Sequence, residues 1–381
     1  LGPFALALIL PWAAGLLITP ITIRIARRYG WLDYPHGRKQ HKVPVPLLGG
    51  VALFASMAVG LAVAAMYSEP IGNLVFRTPQ LLGLAALIAV IIALGVWDDF
   101  ADLSPTFRLC VQVAMAVGAW AIGFRCGDIE LPAGWIIQSG PALSLLVTVG
   151  WIVLLTNAFN FLDGIDGLAS GLAIVPALSI FLLAIDHGAN LPVTLALALA
   201  GGLASFLRFN LPPARIFLGD GGAYGIGFTL GVISLASANK SPTAVVLIAP
   251  LLILALPIVD ALLAALRRIY AHVSKRSFRE LHLLETMQAA FTGDRTHVHY
   301  LLLRCGMSVR QVLAVLYSIA AAVGVLGIWT RTTTSSIRWG IFLGLLVLGY
   351  LGIRALERRA LRLERDREPA DARALKGGTG V

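Results

Sequence analysis

Charge is scarce in this chain: Asp, Glu, Lys and Arg make up only 13% of 381 residues, against 58% hydrophobic residues and a mean hydropathy of +0.83. Too little polar material is present to clothe soluble domains, so the composition excludes them and describes a polytopic membrane protein. Cysteine is also rare. Cys110, Cys126 and Cys305 are three in number and widely scattered, which excludes a disulfide framework and leaves each as a small hydrophobe. No internal repeat and no low-complexity tract precedes the C-terminal end.

What is present is a succession of apolar runs, each close to the roughly 20 residues that a helix needs to cross a bilayer core. Spans are expected near 3–23, 47–66, 80–97, 107–124, 142–158, 169–186, 192–208, 223–238, 243–266, 310–329 and 338–356. The fold class is therefore all-α, a polytopic helical bundle of about eleven spans. The count is ten if one of the short stretches 142–158 and 223–238, broken by Gly or Asn, does not cross. Residues 1–356 form one transmembrane domain. The first span is followed by Arg24, Arg27 and Arg28 and lacks a small-x-small cleavage pattern, so it is expected to be a retained anchor. The tail 357–381 mixes Arg, Glu, Asp, Gly and Pro, and is expected to begin as a helical extension and to end disordered.

Sidedness follows from the basic residues, which collect in short loops facing the cytoplasm. With the N-terminus outside, one face carries only Arg77, Arg125, Lys240, Arg331 and Arg338, leaving 25 of the 30 Lys and Arg on the other. The C-terminus and the loops near 24–46, 98–108, 157–168, 208–222 and 267–310 are then cytoplasmic. The net charge of +10 reads as this sidedness plus attraction to anionic membrane lipid, without any nucleic-acid partner.

Four of those loops hold nearly all the unusual polar residues. Carboxylates where a chain leaves hydrocarbon are costly and are usually kept for ions or substrates. In DDFADLSP, Asp99 and Asp102 stand three apart and are expected to share a helical face, with Asp98 pointing elsewhere. Neighbouring carboxylates repel unless a cation or a raised pKa relieves them, which makes magnesium a natural partner; a solvated helix cap is the ordinary alternative. NAFNFLDGIDGLASG spaces Asn157, Asn160, Asp163 and Asp166 at intervals of three, with Gly164 and Gly167 expected to bend the chain and admit a ligand. Neither G-x-G-x-x-G nor a GK[ST] ending is present there, so a strand-associated phosphate loop is excluded. RFNLPPARIFLGDGGA contributes Asn210, Arg215, Phe217 and Asp220, the last before two glycines, where a turn is the plainer reading. GDRTHVHYLLLRCG offers Arg295, His297 and His299; two histidines two apart do not share a helical face, which disfavours a zinc site and leaves hydrogen bonding or charge pairing with phosphate.

DDFAD, NAFNFLDGIDGLASG, FLGDGGA, the early HKVPVPLLGG and the late DRTHVHYLLLRCG resemble, over about residues 30–310, the signatures of the polyprenyl-phosphate N-acetylhexosamine-1-phosphate transferases, glycosyltransferase family 4. The DRTHVH and RKQHKVPVPLLGG forms look like the branch that transfers N-acetylglucosamine-1-phosphate to undecaprenyl phosphate. A sister branch, the phospho-N-acetylmuramoyl-pentapeptide transferases, carries three consecutive histidines instead, and Tyr300 stands where the first branch usually has a further histidine.

The resemblance implies a magnesium-dependent enzyme (manganese being the alternative) of the bacterial inner membrane, acting at its cytoplasmic face in cell-envelope polysaccharide synthesis. A UDP-sugar and undecaprenyl phosphate would be its substrates, UMP the leaving product and a homodimer one of its assembly states. Carried over by position, Asp220 would be the magnesium ligand, with Asn160 or Asp99 in the inner or outer shell. Asp98 would be the candidate base, alongside Asp99, Asp163 and Asp166 as catalytic carboxylates. Lys42, Asn157, Asn160, Asn210, Phe217 and the stretch Asp163, Gly164, Ile165, Asp166 would hold the nucleotide and its phosphates, while Arg295, His297 and His299 would grip the diphosphate or sugar. Two rivals remain from other classes. A secondary transporter would bury its polar groups in broken helices near the midplane, and a CDP-alcohol phosphotransferase would need an Arg after the Ala where this chain reads IDGLAS.

Overall fold

The computed structural model describes residues 2–35, 43–131, 135–185, 188–238, 254–273 and 297–367. Thirteen α-helices account for almost all of the described residues: α1 Gly2–Tyr29, α2 Gly49–Tyr67, α3 Glu69–Arg77, α4 Pro79–Ala101, α5 Pro105–Ala121, α6 Pro141–Leu162, α7 Leu168–Ile185, α8 Asn190–Asn210, α9 Gly219–Ala238, α10 Ala255–Val273, α11 Val298–Arg304, α12 Val309–Trp329 and α13 Ser335–Arg367. Two short antiparallel ribbons complete the described chain, Leu32–Asp33 with Val45–Pro46 and Ile129–Glu130 with Ile136–Ile137.

Local chemistry sets the helix starts. Proline opens α4, α5 and α6, where its missing N–H costs nothing and its fixed φ suits the first turn. Ser104 caps α5 by accepting from the Phe107 N–H at 3.3 Å, and Ser308 with Gln311 forms a capping box at α12.

Among the described residues, eight helices are long and apolar enough to cross a membrane: α1, α2, α4, α6, α7, α8, α12 and α13. The interrupted run 142–158 is one of them, continuous over 22 residues as α6. The expected span 107–124 falls on the 17-residue α5, and 223–238 on α9, whose first turn is Gly-Asp-Gly-Gly. The span expected at 243–266 lies partly outside the described residues, and its described end belongs to α10. α3 falls between two expected spans as a short helix from Glu69 to Arg77, and α13 continues past the expected span as far as Arg367.

α9 is the central element, packed against α2, α4, α6, α7 and α8. Ala223, Tyr224, Ile226, Phe228, Leu230, Val232, Ile233 and Leu235 are all buried. A helix enclosed on every side needs small residues where backbones touch. A methyl group on Gly95 of α4 would collide with the backbone of Asp220 and Gly221, and one on Gly50 of α2 with Gly222. The first turn of α9 is thus held between α2 and α4, which fixes the position of Asp220.

Candidate active site

The C-terminal ends of α4, α6 and α8 meet the N-terminal ends of α2, α5, α7 and α9 at one end of the bundle. Backbone bonds from Gly49 N–H to the Phe217 carbonyl (3.0 Å) and from Gly50 N–H to the Leu218 carbonyl (2.8 Å) tie α2 to the segment preceding α9. Phe217 in turn donates its N–H to the Pro46 carbonyl at 2.9 Å. Asp99, the last acid of α4, accepts at Oδ1 from the Asp220 N–H at 3.0 Å. A carboxylate from one helix thereby caps another, a favourable use of negative charge at a helix N-terminus. Asn160 of α6 donates Nδ2–H to Asp220 Oδ1 at 2.6 Å. Asp99, Asn160 and Asp220, from three expected loops, form one contact set.

Asp98 faces inward, away from the direction of Asp99, as expected. It is 6% exposed and extends the buried stripe Leu84, Ile88, Ile91, Leu94 and Gly95 of α4. Asp102 lies beyond the last helical residue, with φ of 49°, so helical spacing no longer governs it. Asp98 Oδ1 accepts from Leu103 N–H at 2.9 Å, and Oδ2 from Arg108 Nη1 at 2.7 Å and Tyr224 Oη at 3.1 Å. One α-helical turn beyond Arg108, Gln112 accepts from Asn157 Nδ2 at 2.6 Å. Arg108, Asn157, Asn160, Phe161 and Tyr224 surround a small recess between α5 and α6.

The polar row from Asn157 to Asp166 does not run along one helix, because α6 stops at Leu162 and the chain turns through 163–167. Burial pushes the Asp163 carboxyl well above the ordinary carboxylate range, and the charges of Asp220, Asp99 and Asp166 push it the same way. Asp166 Oδ2 accepts from the Ala214 N–H at 3.0 Å. Asn210 is buried and committed: Oδ1 accepts from Gly167 N–H (3.1 Å) and Ser170 Oγ (2.7 Å), while Nδ2 donates to the Ile216 carbonyl (3.0 Å). Its side chain latches two loops together instead of facing a nucleotide. The Ile165 side chain is buried in the core, so a ligand there would meet the turn's backbone and not that side chain.

The histidine segment is built differently from its expected form. His297 precedes α11 as its N-cap, so the rule that residues two apart diverge on a helix does not apply. Its ring lies between Phe161 (5.1 Å between centroids) and His299 (6.0 Å, 11° between planes), and Tyr300 follows at 4.2 Å from His299. His297 is buried, with Nδ1 2.8 Å from Asp260 Oδ2 of α10. His299 is 0% exposed, and both ring nitrogens lack a hydrogen-bond partner among the described residues. Burial lowers its pKa to about 4, so the ring is neutral at pH 7, which favours hydrogen bonding over charge pairing of the two roles expected for it. Lys42 and Arg295 lie outside the described residues.

Gly164 sits directly beneath this ladder. The Tyr300 hydroxyl donates to its carbonyl at 3.4 Å, and an added Cβ would collide with His299 Nε2 and the Tyr300 hydroxyl. Gly164→Ala is therefore expected to displace the His299 ring and lower kcat/KM by about tenfold or more. Steady-state kinetics on detergent-purified protein check this, and unchanged turnover would remove Gly164 from the site.

The donor set fits a hard cation. Among the described residues no three His, Cys, Asp or Glu side chains form a ready-made metal cluster, but Asp99 and Asp220 are two carboxylate residues in direct contact, the Asp220 N–H lying 3.0 Å from Asp99 Oδ1. Magnesium is commonly held by one or two carboxylates, with water and substrate phosphates completing the octahedron. Asp260, Arg108, Tyr224 and Gln112 were missed as site residues. Asp260 had a signal, a lone carboxylate inside the apolar run PIVDALL; the other three are ordinary helix residues until their neighbours are known.

A sequence profile described as Glycosyl transferase family 4 matches residues 81–238. The chain is 30% identical over 326 residues, 84% of its length and 82% of the relative's, to a probable undecaprenyl-phosphate N-acetylglucosaminyl 1-phosphate transferase of Bacillus subtilis. It is 30% identical over 317 residues, 77% of its length and 74% of the relative's, to a decaprenyl-phosphate N-acetylglucosaminephosphotransferase of Mycobacterium tuberculosis. An undecaprenyl-phosphate alpha-N-acetylglucosaminyl 1-phosphate transferase of Escherichia coli K12 is 26% identical over 348 residues, covering 90% of this chain and 88% of that one. With this similarity spanning most of both partners and the family's acidic motifs drawn to one end of the bundle, the chain belongs to glycosyl transferase family 4.

Proposed function

We propose that the protein transfers N-acetylglucosamine-1-phosphate from UDP-N-acetylglucosamine to undecaprenyl phosphate, releasing UMP. The observation that carries this reading is the Asp99–Asp220–Asn160 contact, which joins three motif segments at a membrane edge. With eleven crossings, the N-terminus would lie outside and the site would face the cytoplasm of the bacterial inner membrane, a reading supported by the 25 basic residues gathered in the loops of one face. Relatives named as N-acetylglucosaminyl 1-phosphate transferases favour this sugar over the phospho-muramoyl alternative.

In the reaction an oxygen of the lipid phosphate bonds to the β-phosphorus, and the bond from that phosphorus to the bridging oxygen breaks. UMP departs with the bridging oxygen. The protein's task in such a transfer is positioning and charge neutralisation. Magnesium, when bound, would polarise the donor phosphates and offset their charge. Asp220 and Asp99 would hold it, with Asn160 steering Asp220 through the amide bond already described. Asp98 fixes the Arg108 guanidinium, whose side chain is 23% exposed, beside the recess, where it would meet the acceptor phosphate. That phosphate has a second pKa of about 6 and is largely ionised near neutrality, so it needs little help from a base.

The test supplies purified protein with undecaprenyl phosphate and a panel of UDP-N-acetylhexosamines, following UMP and the lipid product. Turnover is expected with UDP-N-acetylglucosamine, to cease with EDTA and to return with magnesium. Absence of UMP release across the panel would overturn the transferase reading, and full activity in EDTA would overturn the metal assignment.

A further inference from the structure

We propose that Asp260, in the apolar first half of α10, is a positioning residue for the nucleotide-sugar: it fixes the start of α11 and so sets His299 and Tyr300 over Gly164. The proposal rests on the transferase reading above. Asp260 is 2% exposed and borders a cavity of about 310 Å³ that is otherwise apolar. A carboxylate in such surroundings is costly and calls for a role. Both of its oxygens serve consecutive residues of the histidine segment. Oδ2 meets His297 Nδ1 at 2.8 Å, and Oδ1 accepts from the Val298 N–H at 2.9 Å.

The second bond matters because α11 has no cap of its own. His297 occupies the N-cap position without a side-chain cap bond, its ring being turned toward Asp260. Asp260 therefore does from another helix what Ser or Asp would do locally, satisfying the first amide of α11. His299 and Tyr300 lie in that same first turn. The stacked rings Phe161, His297 and His299, with Tyr300 tilted against the last, connect Asp260 to the groups beside Gly164. If Asp260 let go, the ring of His297 and the first turn of α11 would both be released, and the unpartnered nitrogens of His299 would lose their aim.

Asp260→Asn keeps the shape but leaves only one acceptor for two donors. In full-length protein, KM for UDP-N-acetylglucosamine is expected to rise about tenfold, with KM for undecaprenyl phosphate within about twofold. Val298→Pro is a second and independent probe. It deletes the other donor at a first helical position that tolerates proline, after a residue at φ −65°, ψ 150°, a conformation that suits the position before proline. It should raise the same KM about fivefold. Because Asp260 acts through His299, adding Asp260→Asn to His299→Ala should change the donor KM little further. Equal changes in both substrates' KM values, or full additivity with His299→Ala, would overturn the proposal. If Asp260→Asn does not fold, Val298→Pro decides: an unchanged donor KM there overturns it. Failure of the wild type to release UMP in the same assay would instead reject the transferase reading.

Discussion

Asp220→Asn is expected to lower kcat by about 10³-fold or more while the protein remains folded in detergent, the scale on which a site loses its main electrostatic stabiliser. Asp220 stands in the first turn of α9, where Gly95 and Gly50 allow α4 and α2 to touch the backbone of the following residues. Its Oδ1 is oriented by Asn160 and its N–H is held by Asp99. The amide replacement preserves size and can keep one hydrogen bond to Asn160 after a rotation, so folding is spared. It removes the negative charge on which magnesium binding would rest, in surroundings already crowded with Asp163 and Asp99. Activity and the thermal midpoint are measured together; near wild-type turnover would sink the role given to Asp220.

The second large effect is expected at Asp98, and it distinguishes a holder from a base. Asp98→Asn leaves Arg108, Tyr224 and the Leu103 N–H competing for one oxygen, with an amide donor added among donors. Breaking a buried pair by removing one partner costs about 3 kcal/mol, the lower end of the usual range, because Arg108 reaches solvent. Stability should fall by that order, and kcat/KM for undecaprenyl phosphate by about 100-fold as the guanidinium loses its place. The loss should be the same across pH 6 to 9, roughly the interval over which the acceptor phosphate completes its ionisation. If Asp98 removed the acceptor's proton, the defect would shrink as pH rises through that interval. A loss that fades with pH would restore Asp98 as base and detach Arg108 from the acceptor.

Hydropathy and charge sidedness are local properties of the chain, and they sufficed for the helical bundle, for eight of the expected spans and for the common end at which the motifs meet. Asp99, Asp220 and Asn160 could be singled out from the sequence because a carboxylate or amide beside glycine at the edge of an apolar run is costly wherever it occurs. The inward turn of Asp98 was also legible, since Ile91, Leu94 and Gly95 precede it by seven, four and three residues, the spacing of one buried face.

Spacing misled where a helix ended. Asp102, the row from Asn157 to Asp166, and His297 with His299 were judged by helical periodicity, yet Asp102 lies beyond α4, Asp163 and Asp166 beyond α6, and His297 before α11. The sequence by itself determined what the membrane imposes, namely apolar helices and the costly acids at their ends. Tertiary structure alone decided the partners: Arg108 and Tyr224 on Asp98, Asn210 closing two loops, and Asp260 under His297. Apart from Asp98 with Arg108 and Asn210 with Ile216, those contacts join residues 37 to 126 positions apart, and their geometry is set by helix packing, which no periodicity within one helix encodes.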